Sequence, residues 1–376
     1  MNQMKDRITT IQVALLMYTT LVGVGYLSMP RLLAETAGRD GWISLILGGL
    51  LVMLAMVLLA WLGQKHPGQT IIQYSQAILG RPLGQAVNIL LLLNFVLMAG
   101  ASSRLFGEVL KVYLLEHTPL EVILISFFLT GAYLAGHGLN PLARLSEAMF
   151  PLLLIPIFLI LGLAQMEIDY SEVLPLLAEG VLPVLTGVSH SFQVYAGFII
   201  LAFLAAFMQQ PKKALKASAI GIAGVIITYI MIFVVTLGSL GVTTLNWSLY
   251  PVVDLARRVE VPGAFVEKLE APLLALWVLT AFTTMAPSLY FGTLSLAQIL
   301  GLKEHRGLVF LFIPVIYQVA MLPRNFGETV LIGSIAGYAA LGTLLLAVVL
   351  ALVTLLRKGG GKNAKEETDE RANGKK

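Results

Sequence analysis

The sequence predicts an all-α polytopic membrane protein of about ten transmembrane helices, built as a five-plus-five inverted repeat with helices 1 and 6 broken. Three observations lead there: the composition, the sidedness of the basic residues, and two interruptions at matching positions. Of 376 residues, 57% are hydrophobic and 12% charged, where a soluble domain carries about 25% charged residues; the mean hydropathy is +0.85. Apolar stretches near 8–37, 42–63, 83–110, 119–137, 145–166, 182–208, 214–241, 271–300, 307–323 and 327–356 can each cross a hydrocarbon core of roughly 30 Å.

With both termini cytoplasmic, 17 of the 25 Lys and Arg residues fall on the inner side, as the positive-inside rule requires. An odd number of spans would spoil that division. Acidic residues divide the other way, with Glu167, Asp169, Glu172 and Glu179 in one lysine-free outer loop. The net charge of +4 therefore belongs to inner loops and does not indicate nucleic-acid binding. The first apolar run lacks the small-residue cleavage pattern of a signal peptide.

The first span opens at Ile8 and stays uncharged to Val22, then meets Gly23-Val24-Gly25 and Pro30. Proline is costly inside a helix and tolerated in its first turn. The reading is a helix over 8–22, an unwound link near 23–26, and a half-helix from Ser28 to Gly38. Unpaired backbone groups in hydrocarbon cost several kcal/mol each, so such a break belongs where it lines a cavity. Residues 68–81 suit a short helix on the inner surface. In the sixth span, Ser189 to Gly197 is the most polar stretch of any span, Pro183 opens the segment, and apolar helix resumes at Phe198. Opposed broken helices in matching positions point to a midplane site. Residues 1–166 would form the first repeat. Residues 167–356 would form the second, with outer loop 243–269 and a short capping helix suggested by Pro262, Glu267 and Lys268. The glycine-rich, mixed-charge residues 357–376 read as a disordered cytoplasmic tail.

A broken helix presents carbonyls at one half-helix end and amides at the other. A zwitterionic amino acid suits both, its carboxylate near the Gly25 and Tyr26 amides and its ammonium near the carbonyls of Thr20–Val22. Candidate ligand-binding residues are thus Thr20, Gly23, Val24, Gly25 and Tyr26 in span 1. Ser189, Gln193 and Tyr195 join them from span 6, Asn94 and Met98 from span 3, and Thr283 and Thr284 from span 8. Other uses stand beside these: Ser189, His190 and Gln193 also suit interhelical hydrogen bonds, and Thr283 and Thr284 suit back-bonding to their own helix. The carbonyls of the first break with Thr283 or Thr284 could also hold sodium, though such ligands are too common to decide it. Arg104, Glu108 and Lys111 read as the solvated outer end of span 3. Arg144 and Glu147 read as a snorkelling pair at the inner start of span 5. No acidic residue falls at mid-membrane as an obvious proton carrier.

The absence of cysteine excludes thiol chemistry and disulfides. Without an HExxH zinc pattern, a phosphate-binding glycine loop or a nucleophile–base pair, no enzyme, cofactor or metal site is expected.

Several segments carry a family resemblance: Ile11-Gln12 through Gly23-x-Gly25 and Pro30; Ala37-Gly38-Arg39-Asp40-Gly41-Trp42-Ile43; Val261-Pro262-Gly263-Ala264-Phe265-Val266-Glu267-Lys268-Leu269-Glu270; and Pro211-Lys212-Lys213-Ala214. Over nearly all of residues 5–356 the chain resembles the B subunits of spore germination receptors, in the amino acid–polyamine–organocation transporter superfamily. The resemblance implies the leucine-transporter fold, a place in the spore inner membrane, and action with A and C subunits on sensing a small nutrient, typically an amino acid. The alternative is an active amino-acid permease with ion or proton coupling, and a third reading is an ion or water conduit. Two departures stand out: Phe198 where many members carry an acidic residue, and a Trp247…Pro251 pair split by three residues.

Overall fold

In the computed structural model, residues 7–165, 168–259 and 269–373 are described, with side chains through 356. The first span is two pieces. Helix α1 (Thr10–Val22) starts at a capping box, in which Thr9 and Gln12 bond reciprocally to each other's backbone amides, and ends at Gly23. A short 3₁₀ turn over Gly25–Leu27 leads to α2 (Met29–Ala37), with Pro30 in its first turn. The break thus falls at the predicted place, where proline's missing N–H costs nothing.

Next come α3 (Gly41–Lys65), α4 (Ile71–Leu79), α5 (Arg81–Tyr113), α6 (Leu120–Gly136) and α7 (Leu139–Ala164). The sixth span is again split, into α8 (Val181–Val194) and α9 (Leu201–Phe207), joined through a 3₁₀ segment at Ala196–Ile200 and bent by 52°. Its break starts at Tyr195 rather than at Ser189. The polar residues before it stay helical because the Ser189 and Ser191 hydroxyls bond back to the Thr186 and Val188 carbonyls, at 2.7 Å each. After it run α10 (Ala214–Trp247), α11 (Pro251–Arg258), α12 (Glu270–Ile299), α13 (Leu308–Met321) and α14 (Phe326–Asn373). Among the described residues, six helical segments are long and apolar enough to cross a membrane. The bent pair makes a seventh span, and three shorter apolar helices, Thr10–Val22, Leu120–Gly136 and Leu308–Met321, match the remaining expected spans. The protein is an integral membrane protein.

Packing follows the broken pair. Helix α1 lies against α10, α7 and α12, while α8 lies against α3, α14 and α2. First span on seventh and sixth on second is the reciprocal arrangement an inverted repeat produces. Lipid removes the hydrophobic drive between helices, so close approach depends on small residues. Here Gly48 meets Ser191, Gly187 meets Ser44, and Gly337 lies against the Gln193 backbone.

The accessory segments resolve unequally. Helix α4 forms as expected, but it buries Ile71, Ile72 and Tyr74. Asn88 of α5 holds it, donating to the Ile72 carbonyl and accepting from Ser75, both at 2.8 Å. In the outer loop the described short helix is α11, with Pro251 in its first turn; Pro262, Glu267 and Lys268 lie outside the described residues. Helix α14 continues past residue 356, where side chains are outside those described.

Candidate functional site

The break in span 1 opens onto a cavity of about 130 Å³. One water needs about 10–15 Å³ on this measure, so the space takes on the order of ten waters or one small organic molecule. Thr20, Val24, Gly25 and Ser28 form one wall, and Gln193, Ala196 and Gly197 of the second break form another. Met98, Ala101, Ser102 and Leu105 of α5 and Thr284 of α12 add the third side. Phe326, Thr329, Val330 and Gly333 of α14 close the fourth. The cavity follows α2 away from the N-terminus to Arg31 and Glu35, an ion pair at 2.7 Å with side chains 23% and 39% exposed.

The opposite end is sealed. The Ile8 amide donates to the Phe207 carbonyl and the Gln209 amide to the Ile8 carbonyl, both at 3.0 Å, which pins the segment just before α1 across the end of α9. Above that seam Phe203 packs on Phe95 and Phe291, with ring centres 5.4 Å apart in each case. Among the described residues, the cavity's lining extends to the side of the break away from the termini.

The two glycines of the break have different surroundings. A Cβ on Gly25 would meet no atom within 4 Å, so its backbone faces open space. A Cβ on Gly23 would run into Thr284 Oγ1, with Thr19 O at 2.8 Å and Thr283 Oγ1 at 3.0 Å. Gly23 therefore lets α1 and α12 touch, while Gly25 bares the backbone to the cavity.

That contact uses up carbonyls. Thr283 Oγ1 lies 2.9 Å from Thr19 O and 2.6 Å from Thr280 O of its own helix, Thr284 Oγ1 donates to Thr20 O at 3.0 Å, and Thr20 Oγ1 to Thr283 O at 3.0 Å. Tyr229 of α10 donates to Leu21 O at 2.7 Å, with Val194 O at 3.2 Å. The threonine hydrogen bonds join α1 to α12 directly.

Of the residues singled out in the sequence, Thr20, Val24, Gly25, Met98, Gln193 and Thr284 line the cavity. The others sit elsewhere. Tyr26 is buried beside the break, and Thr283 is spent on the α1 contact. Tyr195 points into span 2, donating to Leu45 O at 3.1 Å, with Gly49 leaving room for its hydroxyl. Ser189 bonds back along its own helix. Asn94 continues the cavity face of α5 one turn beyond Met98, and its amide is buried with no hydrogen-bond partner among the described residues.

Sequence reasoning missed three features. The α2 face from Ser28 to Glu35 is one. Span 10 is another, although Gly333-x-x-x-Gly337 is a readable small-residue motif. The third is the ion pair of Arg104 and Glu108, which is not solvated. Its atoms are 2.7 Å apart and its side chains 9% and 15% exposed. Arg104 also reaches the Ala320 carbonyl at 3.4 Å, and Thr329 donates to Glu108 Oε1 at 2.8 Å. Tyr250, which leads into α11, lies near the same carboxylate. Burial first, then that charge, push its phenol up from the usual range.

Two opposed broken helices flanking one cavity define a transporter-like fold class of membrane protein. Solved structures agree: MhsT in complex with L-phenylalanine matches with a TM-score of 0.65, 12% identity, 93% of this chain and 99% of that one. Mhp1, a nucleobase-cation-symport-1 family transporter in a closed conformation with bromovinylhydantoin bound, also scores 0.65, at 14% identity, 93% of this chain and 78% of that one. Within that class the chain belongs to the spore permease family of spore germination proteins, which matches residues 7–329. The spore germination protein YndE of Bacillus subtilis (strain 168) is 33% identical over 95% of this chain and 99% of its own. Spore germination protein A2 of the same organism is 28% identical over 94% of this chain and 96% of its own. GerLB of Bacillus cereus is 28% identical over 95% and 96%.

Proposed function

We propose that this chain is the germinant-sensing subunit of a spore germination receptor, binding a small amino acid in the cavity between the two breaks. The observation that carries this reading is the open backbone at Gly25, facing a cavity bounded by both broken helices. The amides around Gly25 and Tyr26 would take the carboxylate, and the apolar faces of Met98, Leu105 and Val330 the side chain. The relatives' names as germination proteins support the role, and L-phenylalanine bound to MhsT supports the ligand class. Partners would be the A and C subunits, and the location the spore inner membrane with both termini cytoplasmic.

Ligand would signal by favouring one of two arrangements of the broken-helix bundle, which requires different affinities for the two states. The transporter fold of both solved neighbours favours a second reading, an amino-acid permease using the same cavity. Radiolabelled alanine, leucine, valine, asparagine and proline offered to proteoliposomes separate the two. Saturable label that is never concentrated identifies a sensor, and concentrative uptake that collapses with an ion gradient identifies a permease.

A further inference from the structure

An amino acid in this cavity brings an ammonium group with three donors, and burying it unpaired is prohibitively unfavourable. The break's own carbonyls carry no charge and are already engaged in part: Thr19 accepts from the Gly23 amide, Thr20 from Thr284 and Leu21 from Tyr229. Glu108 offers what they lack. Met98, Ala101 and Leu105 form the stripe of α5 that lines the cavity, and Glu108 continues it one turn on. Helical side chains lean toward the N-terminus, so the carboxyl of Glu108 hangs back over Leu105.

Its Oε1 is held by Arg104 Nε at 2.7 Å and by Thr329 Oγ1 at 2.8 Å, and Thr329 itself lines the cavity. Its Oε2 is buried and has no hydrogen-bond partner among the described residues. A carboxylate oxygen in that state calls for a donor. The carboxylate that lines the cavity itself, Glu35, is partly exposed at the mouth and engaged by Arg31, whereas Glu108 adjoins the lining through Thr329.

We propose that Glu108 Oε2 receives the cationic amino group of the ligand, which restricts the site to amines with a compact, largely apolar body. The proposal rests on the reading of the cavity as the nutrient site. Through Glu108 the ligand would join α5 to Thr329 of α14, and through Arg104 to the Ala320 carbonyl at the end of α13.

The test is equilibrium binding to the full chain in lipid nanodiscs, using labelled L-alanine, L-valine and L-leucine. The competitors are the matching 2-hydroxy acids, which keep carboxylate and side chain but exchange ammonium for hydroxyl. Glu108→Gln should weaken amino-acid binding about tenfold or more, the scale of a charged hydrogen bond, and should narrow the preference over the hydroxy acid. Because that variant leaves Arg104 buried without its counter-charge, the double variant Arg104→Gln/Glu108→Gln repeats the measurement with charge balanced. It should show the same loss, while Glu108→Asp recovers part of it. Thermal melting of each variant checks that the fold persists. If both charge-removing variants bind as the parent does while Gly25→Val abolishes binding, the cavity stands and the role of Glu108 is overturned. A loss confined to Glu35→Gln overturns it as well. Binding unaffected by Gly25→Val removes the cavity reading, and the proposal with it.

Discussion

Tyr229 donates its phenol proton to the Leu21 carbonyl at 2.7 Å, and the same oxygen stands 3.2 Å from the Val194 carbonyl. Leu21 lies in the last turn of α1 and Val194 in the last turn of α8. Last-turn carbonyls have no partner within their own helix. One side chain from span 7 thus joins the ends of the two half-helices whose separation makes the site.

Removing that hydroxyl should loosen the junction. Tyr229→Phe leaves a buried carbonyl unsatisfied, at a cost of about 1–3 kcal/mol. The expected outcome is a lower melting temperature in detergent. An unchanged melting curve would mean that another donor takes its place.

The two glycines of the break should behave oppositely. At Gly23 a methyl group collides with Thr284 and with the Thr19 carbonyl, so Gly23→Ala should destabilise by about 1–3 kcal/mol. At Gly25 there is space, so Gly25→Ala should melt like the parent and lose ligand affinity. Thermal melting and ligand titration on the same two samples read both effects.

Ligand binding should be indifferent to sodium. Threonine hydroxyls of α12 already reach the Thr19 and Thr20 carbonyls of α1. Replacing sodium by choline should change the dissociation constant by no more than about twofold, below the 5–150-fold of typical coupled sites. A larger shift would show that a cation displaces the threonine donors.

Acidification should weaken the α3–α4 corner. Burial, and then the charge of Lys65, lower the pKa of His66 from its usual 6.5, and its ring stacks on Tyr74 at 5.4 Å. A depressed histidine contributes stability that is present above 6.5 and lost as pH falls through the lower folded value. The melting temperature should therefore drop between pH 7.5 and 5, and His66→Gln should flatten part of that drop. Equal pH dependence in the two proteins would assign the effect to other groups.

The sequence by itself determined the spans, their alternation and the two breaks. Hydrocarbon thickness sets helix length, and Gly23, Gly25, Pro30 and Pro183 act on the backbone locally, whatever the neighbours do. Even the sixth-span break was legible, displaced only because the Ser189 and Ser191 hydroxyls bond within their own helix. Tertiary structure decided which groups meet. Tyr195 turns into span 2, Glu108 is drawn inside by Arg104 and Thr329, and α14 closes a wall through Gly333 and Gly337 against Gln193. Helix periodicity gives each residue a face. Which face looks inward, and at what depth, depends on contacts between helices hundreds of residues apart, and these exist only once the bundle has packed.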